Sequence, residues 1–342
     1  MSMSDRTRTL SLATTALAAG IGAGFYADNA AGQSAAVLAV YDTVDFHVAT
    51  ATRIAGNDAN VRAALRLCTP PGAAPAAQPA VAAAPEPTKI FDNLYFVGVS
   101  AVSAWAITTS AGIIVIDSLN NPREAETFIE GGLRKLGLDP MQVKYVVITH
   151  GHADHYGGAQ YLADKLKAQL VMSETDWNFL STAQRSANPD RGPIPRRGMA
   201  VKDGDKLTLG DTTIEIVETP PHTPGAISLI IPLREGNARH VGALWGGIGF
   251  NFQRTEQNFT TYSSSVSKFA NIARQRNVDV QMANHPNFDN ALIKIAALKT
   301  RTAGRPNPFV VGGEVQQRIF DVQQDCALAQ RAMLRTAASA KK

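Results

Sequence analysis

The chain has 342 residues, with 33 basic and 29 acidic side chains and a formal net charge of +4. With 45% hydrophobic residues it can bury a sizeable core, which excludes global disorder. The charge is dilute, with no run of five like charges, and no stretch of eighteen strongly apolar residues occurs, so neither nucleic acid nor stable membrane insertion is expected.

Residues 1–35 read as a signal peptide. Arg6 and Arg8 give a positive start, Leu10 to Phe25 is uncharged and mildly apolar, and small residues follow from Ala27 to Ala31. The alternative is an Ala-rich helix; the first reading implies a periplasmic or secreted protein. Residues 36–88 read as a helical extension, ending near Leu67, followed by a Pro/Ala-rich linker too poor in large apolar residues to build a core. Cys68 and Cys326 are the two cysteines; in an oxidising compartment they pair, and otherwise they are two unrelated buried thiols.

The body, 89–342, interleaves strands and helices. Strands are expected at Leu94–Val99, Ala104–Thr108 and Gly112–Asp117, the last rich in β-branched residues. Asn121-Pro122 opens a helix with proline at its first position, reaching about Leu136. Val143–Thr149 is the next buried strand, and a helix follows from Gly158 to Leu166. Leu170–Ser173 reads as a short strand, Glu174–Leu180 as a helix, and residues 181–202 as a polar surface loop. A hairpin spans Lys206–Val217, turning at Gly210-Asp211. Strands at Ile227–Ile231, His240–Leu244 and Val278–Ala283, and helices at Ser263–Arg276, Asn290–Arg301 and Gly312–Leu334, complete an α/β pattern in which helices cover sheets.

The chemistry concentrates in Thr149-His150-Gly151-His152-Ala153-Asp154-His155, a strand-to-helix loop. Residues two apart in extended chain face the same way, so His150 and His152 project together. Gly151 and Ala153 are small, and Asp154 and His155 follow as the chain turns. Three imidazoles and a carboxylate suit a borderline-soft divalent ion such as zinc. Three of the chain's seven histidines fall here.

This motif resembles the signature of the metallo-β-lactamase-fold hydrolases, and the resemblance covers about residues 89–300. Ile113-Ile114-Val115-Ile116-Asp117 is similar to the family's early strand ending in aspartate, which implies that Asp117 orients a ligand histidine. Pro221-His222-Thr223-Pro224-Gly225 and Asn284-His285-Pro286 resemble the segments carrying the later ligands. The resemblance implies a four-layer αββα sandwich with two zinc sites at one edge: His150, His152 and His222 in the first, and Asp154, His155 and His285 in the second. His47 and His240 match no ligand position.

Dinuclear members such as glyoxalase II and lactonases carry a bridging aspartate between the last two histidines, and others a cysteine there. This chain has Trp245-Gly246-Gly247 at about that point, and its one aspartate between His222 and His285 is Asp279. Five histidines and one aspartate without a bridging residue resemble the third subclass of metallo-β-lactamases, as does Tyr95-Phe96-Val97-Gly98-Val99. The serine pair with which that subclass often holds a β-lactam carboxylate has no counterpart at Gly246-Gly247. The implied activity is opening of the β-lactam amide by a zinc-held hydroxide, with Asp154 orienting the nucleophile. The alternatives are hydrolysis of another small molecule (a lactone, ester or activated aryl compound) on the same fold, and a non-catalytic metal-binding protein. The family layout offers Trp105, Tyr262 and Arg254 as pocket residues, with plain surface or core as the equal alternative for each, and leaves Asn284, Asn290 and the substrate-binding residues undecided.

Overall fold

The computed structural model describes residues 42–70, 85–184 and 186–339. The expected signal peptide and most of the linker lie outside the described residues. From Thr43 onward the described residues form one compact unit.

Two helices open this unit, α1 (Val44–Ala55), capped by Thr43, and α2 (Ala59–Ala64), capped by Asp58. A seven-stranded sheet follows in the order β1 (Thr88–Lys89), β2 (Leu94–Phe96), β3 (Trp105–Thr109), β4 (Gly112–Ile116), β5 (Val143–Val147), β6 (Gln169–Ser173) and β7 (Met199–Val201). Its first four strands pair antiparallel, and β4 through β7 run parallel. The helical run after β4 comprises α3 (Pro122–Glu124), a π-helical turn (Ala125–Glu130) and α4 (Gly131–Lys135), with Asn121 accepting the Glu124 amide as N-cap. After β5 come α5 (Ala153–Tyr156) and α6 (Ala159–Leu166), and after β6 comes α7 (Glu174–Thr182).

The second sheet has five strands: β8 (Lys206–Leu209), β9 (Thr212–Glu218), β10 (Ile227–Glu235), β11 (Ala238–Trp245) and β12 (Val280–Ala283), the last parallel to β11. Helix α8 (Glu256–Gln275) joins β11 to β12; α9 (Pro286–Asp289), α10 (Ala291–Lys299) and α11 (Gly313–Ser339) close the chain.

Strand alternation builds the layers. Ile114 and Ile116 of β4 face the second sheet, where they meet Ile216, Leu229 and Met282, while Ile113 and Val115 face Ile129, Leu133 and Leu162 of the outer helices. On the far side, Val217, Ile230 and Trp245 pack against Phe259, Phe269 and Phe320 of α8 and α11. The result is the four-layer αββα sandwich, each sheet apolar on both faces.

Helix α1 also packs against α11, where the buried His47 bonds Asp325 at 2.9 Å, and a Cys68–Cys326 disulfide ties the segment after α2 to the same helix. His240 pairs with Asp279 at 2.6 Å, so both unassigned histidines are structural. The polar stretch 181–202 contains the edge strand β7, hidden in the sequence by its brevity and by the prolines and arginines before it.

Candidate metal centre

The loops leaving β4, β5, β9, β11 and β12 gather at one end of the two sheets. Asp117 leaves β4 with a left-handed backbone, φ 59°, which an aspartate tolerates better than a branched residue. That turn aims its carboxylate across the loop after β5. There Oδ1 accepts the Thr149 amide at 2.8 Å, and Oδ2 accepts the Thr149 hydroxyl at 3.0 Å and His155 Nδ1–H at 2.7 Å. Leu119, two residues on, is also left-handed at φ 64°, backbone strain of the kind that collects at functional loops.

The six expected ligands converge as two trios. His150, His152 and His222 form one, and Asp154, His155 and His285 the other; within each, the candidate ligand atoms lie within 4.8 Å of one another. His222 Nε2 lies 3.1 Å from His150 Nε2 and 3.0 Å from His152 Nδ1. His155 Nε2 lies 3.3 Å from His285 Nε2 and 3.7 Å from the Asp154 carboxylate.

The outer ring nitrogens fix which atoms point inward. His222 Nδ1 donates to the Gly249 carbonyl at 2.5 Å, His285 Nδ1 to the Ala101 carbonyl at 2.8 Å, and His155 Nδ1 to Asp117. His150 Nδ1 donates to the Thr149 hydroxyl at 3.1 Å, whose own proton goes to Asp117. Each of these four rings therefore turns a bare Nε2 lone pair to the shared centre. Lone pairs facing across 3.1–3.3 Å repel unless a cation lies between them, so the donor set fits a divalent metal at each trio. With three protein donors, each trio would leave a bound zinc ion room for water or substrate.

Electrostatics agree. Burial, reinforced by neighbouring imidazoles, holds His150 well below the usual histidine range, His152 down to about 4 and His222 to about 3. Burial likewise lowers His285. Burial would also lower His155, but Asp117 and Asp154 outweigh it and raise the ring. Burial pushes Asp154 up, yet His155, His285 and Arg191 together pull it down to about 2. The second trio is thus a place where positive charge is favoured.

One residue that sequence reasoning missed joins the loops. The buried Asp176 of α7 accepts the Gly151 amide at 2.7 Å, the Gly225 amide at 2.7 Å and the Thr223 hydroxyl at 2.5 Å. It therefore staples the His150–His152 loop to the loop after His222. Gly225 has to be glycine for this approach, because a Cβ there would lie 2.6 Å from the Asp176 amide. No local pattern marks Asp176, since its partners lie 25 to 49 residues away.

The pocket residues offered by the family layout fall elsewhere. Trp105 is fully buried between the sheets, donating to the Ala283 carbonyl at 3.2 Å. Tyr262 is fully buried and bonds the Ile248 carbonyl at 2.9 Å. Arg254 bonds Gln330 and lies over the Phe259 ring. Asn290 caps a turn and donates to Ala59. Asn284 alone borders the centre, its amide nitrogen against the Gly246 carbonyl and 3.4 Å from His150 Nδ1. Asp279, bound to His240 and the Val241 amide, is not a ligand in either trio.

Residues 97–235 match the metallo-beta-lactamase superfamily. Among curated proteins, the chain is similar to hydroxyacylglutathione hydrolases: 30% identical over 95 residues to that of Parasynechococcus marenigrum (28% of this chain, 33% of the relative) and 27% over 164 residues to that of Nostoc punctiforme (46% and 55%). The chain thus spans a third to about half of these relatives' length. Among solved structures it resembles BJP-1, a subclass B3 metallo-beta-lactamase of Bradyrhizobium japonicum, with TM-score 0.64 and 27% identity over 76% of this chain and 97% of that one. FEZ-1 from Legionella gormanii shares the fold, with TM-score 0.61 and 23% identity over 69% and 92%. Residues 97–235 thus carry a metallo-beta-lactamase superfamily domain, and the two-sheet sandwich is the fold of that superfamily's solved members.

Proposed function

We propose that the chain is a zinc-dependent hydrolase that opens the amide of a β-lactam ring. The observation that carries this reading is the pair of trios whose inward lone pairs are fixed by outer hydrogen bonds. A dinuclear zinc centre, when bound, supplies a water of pKa near 7 and a Lewis-acid hold on the substrate carbonyl. His150, His152 and His222 would hold one ion, and Asp154, His155 and His285 the other. Asp117 fixes the tautomer of His155 directly and that of His150 through Thr149. Asp154, ionised and at the mouth of the second trio, would orient the attacking water, take up the proton that water loses as it adds to the carbonyl, and pass that proton to the leaving nitrogen as the amide C–N bond breaks. The chain needs no side-chain nucleophile.

Similarity to subclass B3 structures supports the β-lactam substrate, and so does a ligand set without a bridging aspartate. The hydroxyacylglutathione hydrolases support a second reading, hydrolysis of an acylglutathione thioester on the same centre. Export is part of the proposal; the Cys68–Cys326 disulfide supports an oxidising compartment.

Hydrolysis of nitrocefin and of S-lactoylglutathione, each before and after chelation and after zinc is restored, separates the readings. Zinc-dependent nitrocefin turnover with little thioester turnover supports the first. The reverse pattern supports the second. Two equivalents of bound zinc with no turnover of either, or of a lactone and ester panel, favours a non-catalytic metal-binding protein.

A further inference from the structure

We propose that Arg191 is the cationic anchor for a carboxylate on the substrate, held in the cleft that opens beside the second trio. The proposal rests on the hydrolase reading above and assigns to that site a substrate class, small molecules carrying a carboxylate, and a residue that selects it.

The cleft has a volume of about 590 Å³. One wall is Ala101, whose carbonyl holds His285, so the cleft adjoins the second trio. Another is the loop after Asp117, through Asn120 and Asn121. Arg191 reaches it from the 183–198 loop, and that loop is fastened where the ligands are. The Gly192 amide donates to the Asn120 carbonyl at 2.8 Å, and Asn121 donates to the Asp190 carbonyl at 2.9 Å. Gly192 itself lies against the backbone of Gly157, two residues after His155; a Cβ there would come within 1.8 Å of the Gly157 carbonyl oxygen. Arg191 is therefore set beside the second trio by hydrogen bonds to the backbone of both its neighbours, Asp190 and Gly192.

Its guanidinium is half-buried, and Nη1 is shielded from solvent with no hydrogen-bond partner among the described residues. A buried guanidinium nitrogen without a partner is costly, and a planar anion such as a carboxylate satisfies it in bidentate fashion. The cleft also holds Arg123, Glu124 and Asp190. Glu124 is taken up by Asn120, whose side-chain amide reaches it at 2.6 Å, so it does not answer Arg191.

The opposite wall cannot do this work. A Cβ on Gly246 would fall 1.8 Å from the Ile227 carbonyl oxygen, and one on Gly247 would fall 2.5 Å from the His222 Cβ. No side-chain hydroxyl fits at either position without displacing backbone or His222. The anion-holding role that the resemblance places there has moved to the other side of the centre.

The test compares benzylpenicillin with its methyl ester on zinc-loaded wild type, Arg191→Ala and Arg191→Lys, with metal content measured in each. The acid-over-ester preference in kcat/KM is expected to fall roughly 10- to 100-fold in Arg191→Ala, carried by KM for the acid, and to recover in part in Arg191→Lys. A preference that survives Arg191→Ala overturns the proposal. A second arm needs no turnover: ligand-observed NMR with phenylacetate and phenylacetamide. Wild type is expected to favour phenylacetate, and Arg191→Ala to lose that bias. Equal binding of the two probes by wild type overturns the proposal. Failure to hydrolyse either penicillin, with the phenylacetate bias intact and Arg191-dependent, rejects the β-lactam reading while leaving the anion site standing.

Discussion

His150, His152 and His222 form a trio without a charged side chain, whereas Asp154, His155 and His285 sit beside Asp117 and within the field of Arg191. The first is kept neutral by burial and kept in place by Asp176, which fastens both of its loops. The second is charged, and it opens toward the cleft. One trio thus resembles a rigid socket, and the other a place where charge is handled. Under the proposed function, holding the substrate carbonyl belongs to the first, and proton and anion traffic to the second.

The sharpest way to break this division is Asp154→Asn, which keeps the shape and removes the charge. It should lower kcat on the preferred substrate by roughly 10²- to 10⁴-fold, the usual contribution of a positioned acid or base. Turnover near wild type would remove Asp154 from the chemistry and erase the contrast. Asp117→Asn comes next. Its loss frees the His155 and His150 rings, and zinc affinity should drop about 10- to 100-fold, measured by competition with a chromophoric chelator.

Asp176→Asn probes the socket alone. An amide in place of one carboxylate oxygen sets an N–H against the Gly151 or Gly225 amide, at a cost of about 1–3 kcal/mol in unfolding free energy. Affinity for one of two zinc equivalents should fall, with the other unchanged. An equal loss of both would mean that Asp176 supports the fold in general rather than the first trio. The smallest effect is spectroscopic. On acidification of metal-free protein, a raised pKa means that His155 takes up its proton first, while His152 stays neutral to about pH 4 and His222 to about pH 3. Histidine ring signals followed by NMR give that order, and its reversal would contradict the electrostatic contrast.

Much of this was legible in the chain because the informative signals are local. Runs such as Gly112-Ile-Ile-Val-Ile mark strands buried on both faces, and the spacing of His150, His152, Asp154 and His155 brings candidate ligands together within one loop. His222 and His285 were legible through the segments that carry them. What escaped depends on distance or direction. Asp176 acts on amides far along the chain, and Arg191 reaches its cleft from a loop whose placement rests on Gly192 packing against Gly157. Trp105 and Tyr262 stayed open between pocket and core because family layout does not say which way a side chain faces, and theirs face the core. The Cys68–Cys326 pairing stayed open because 258 residues separate its partners.

Zinc stoichiometry of the purified protein, by elemental analysis and native mass spectrometry, bears most directly on whether the six side chains hold a pair of cations. Wild type should bind two equivalents, and His222→Ala and His285→Ala should each retain one. One equivalent or none in wild type, or two in both variants, would contradict the account.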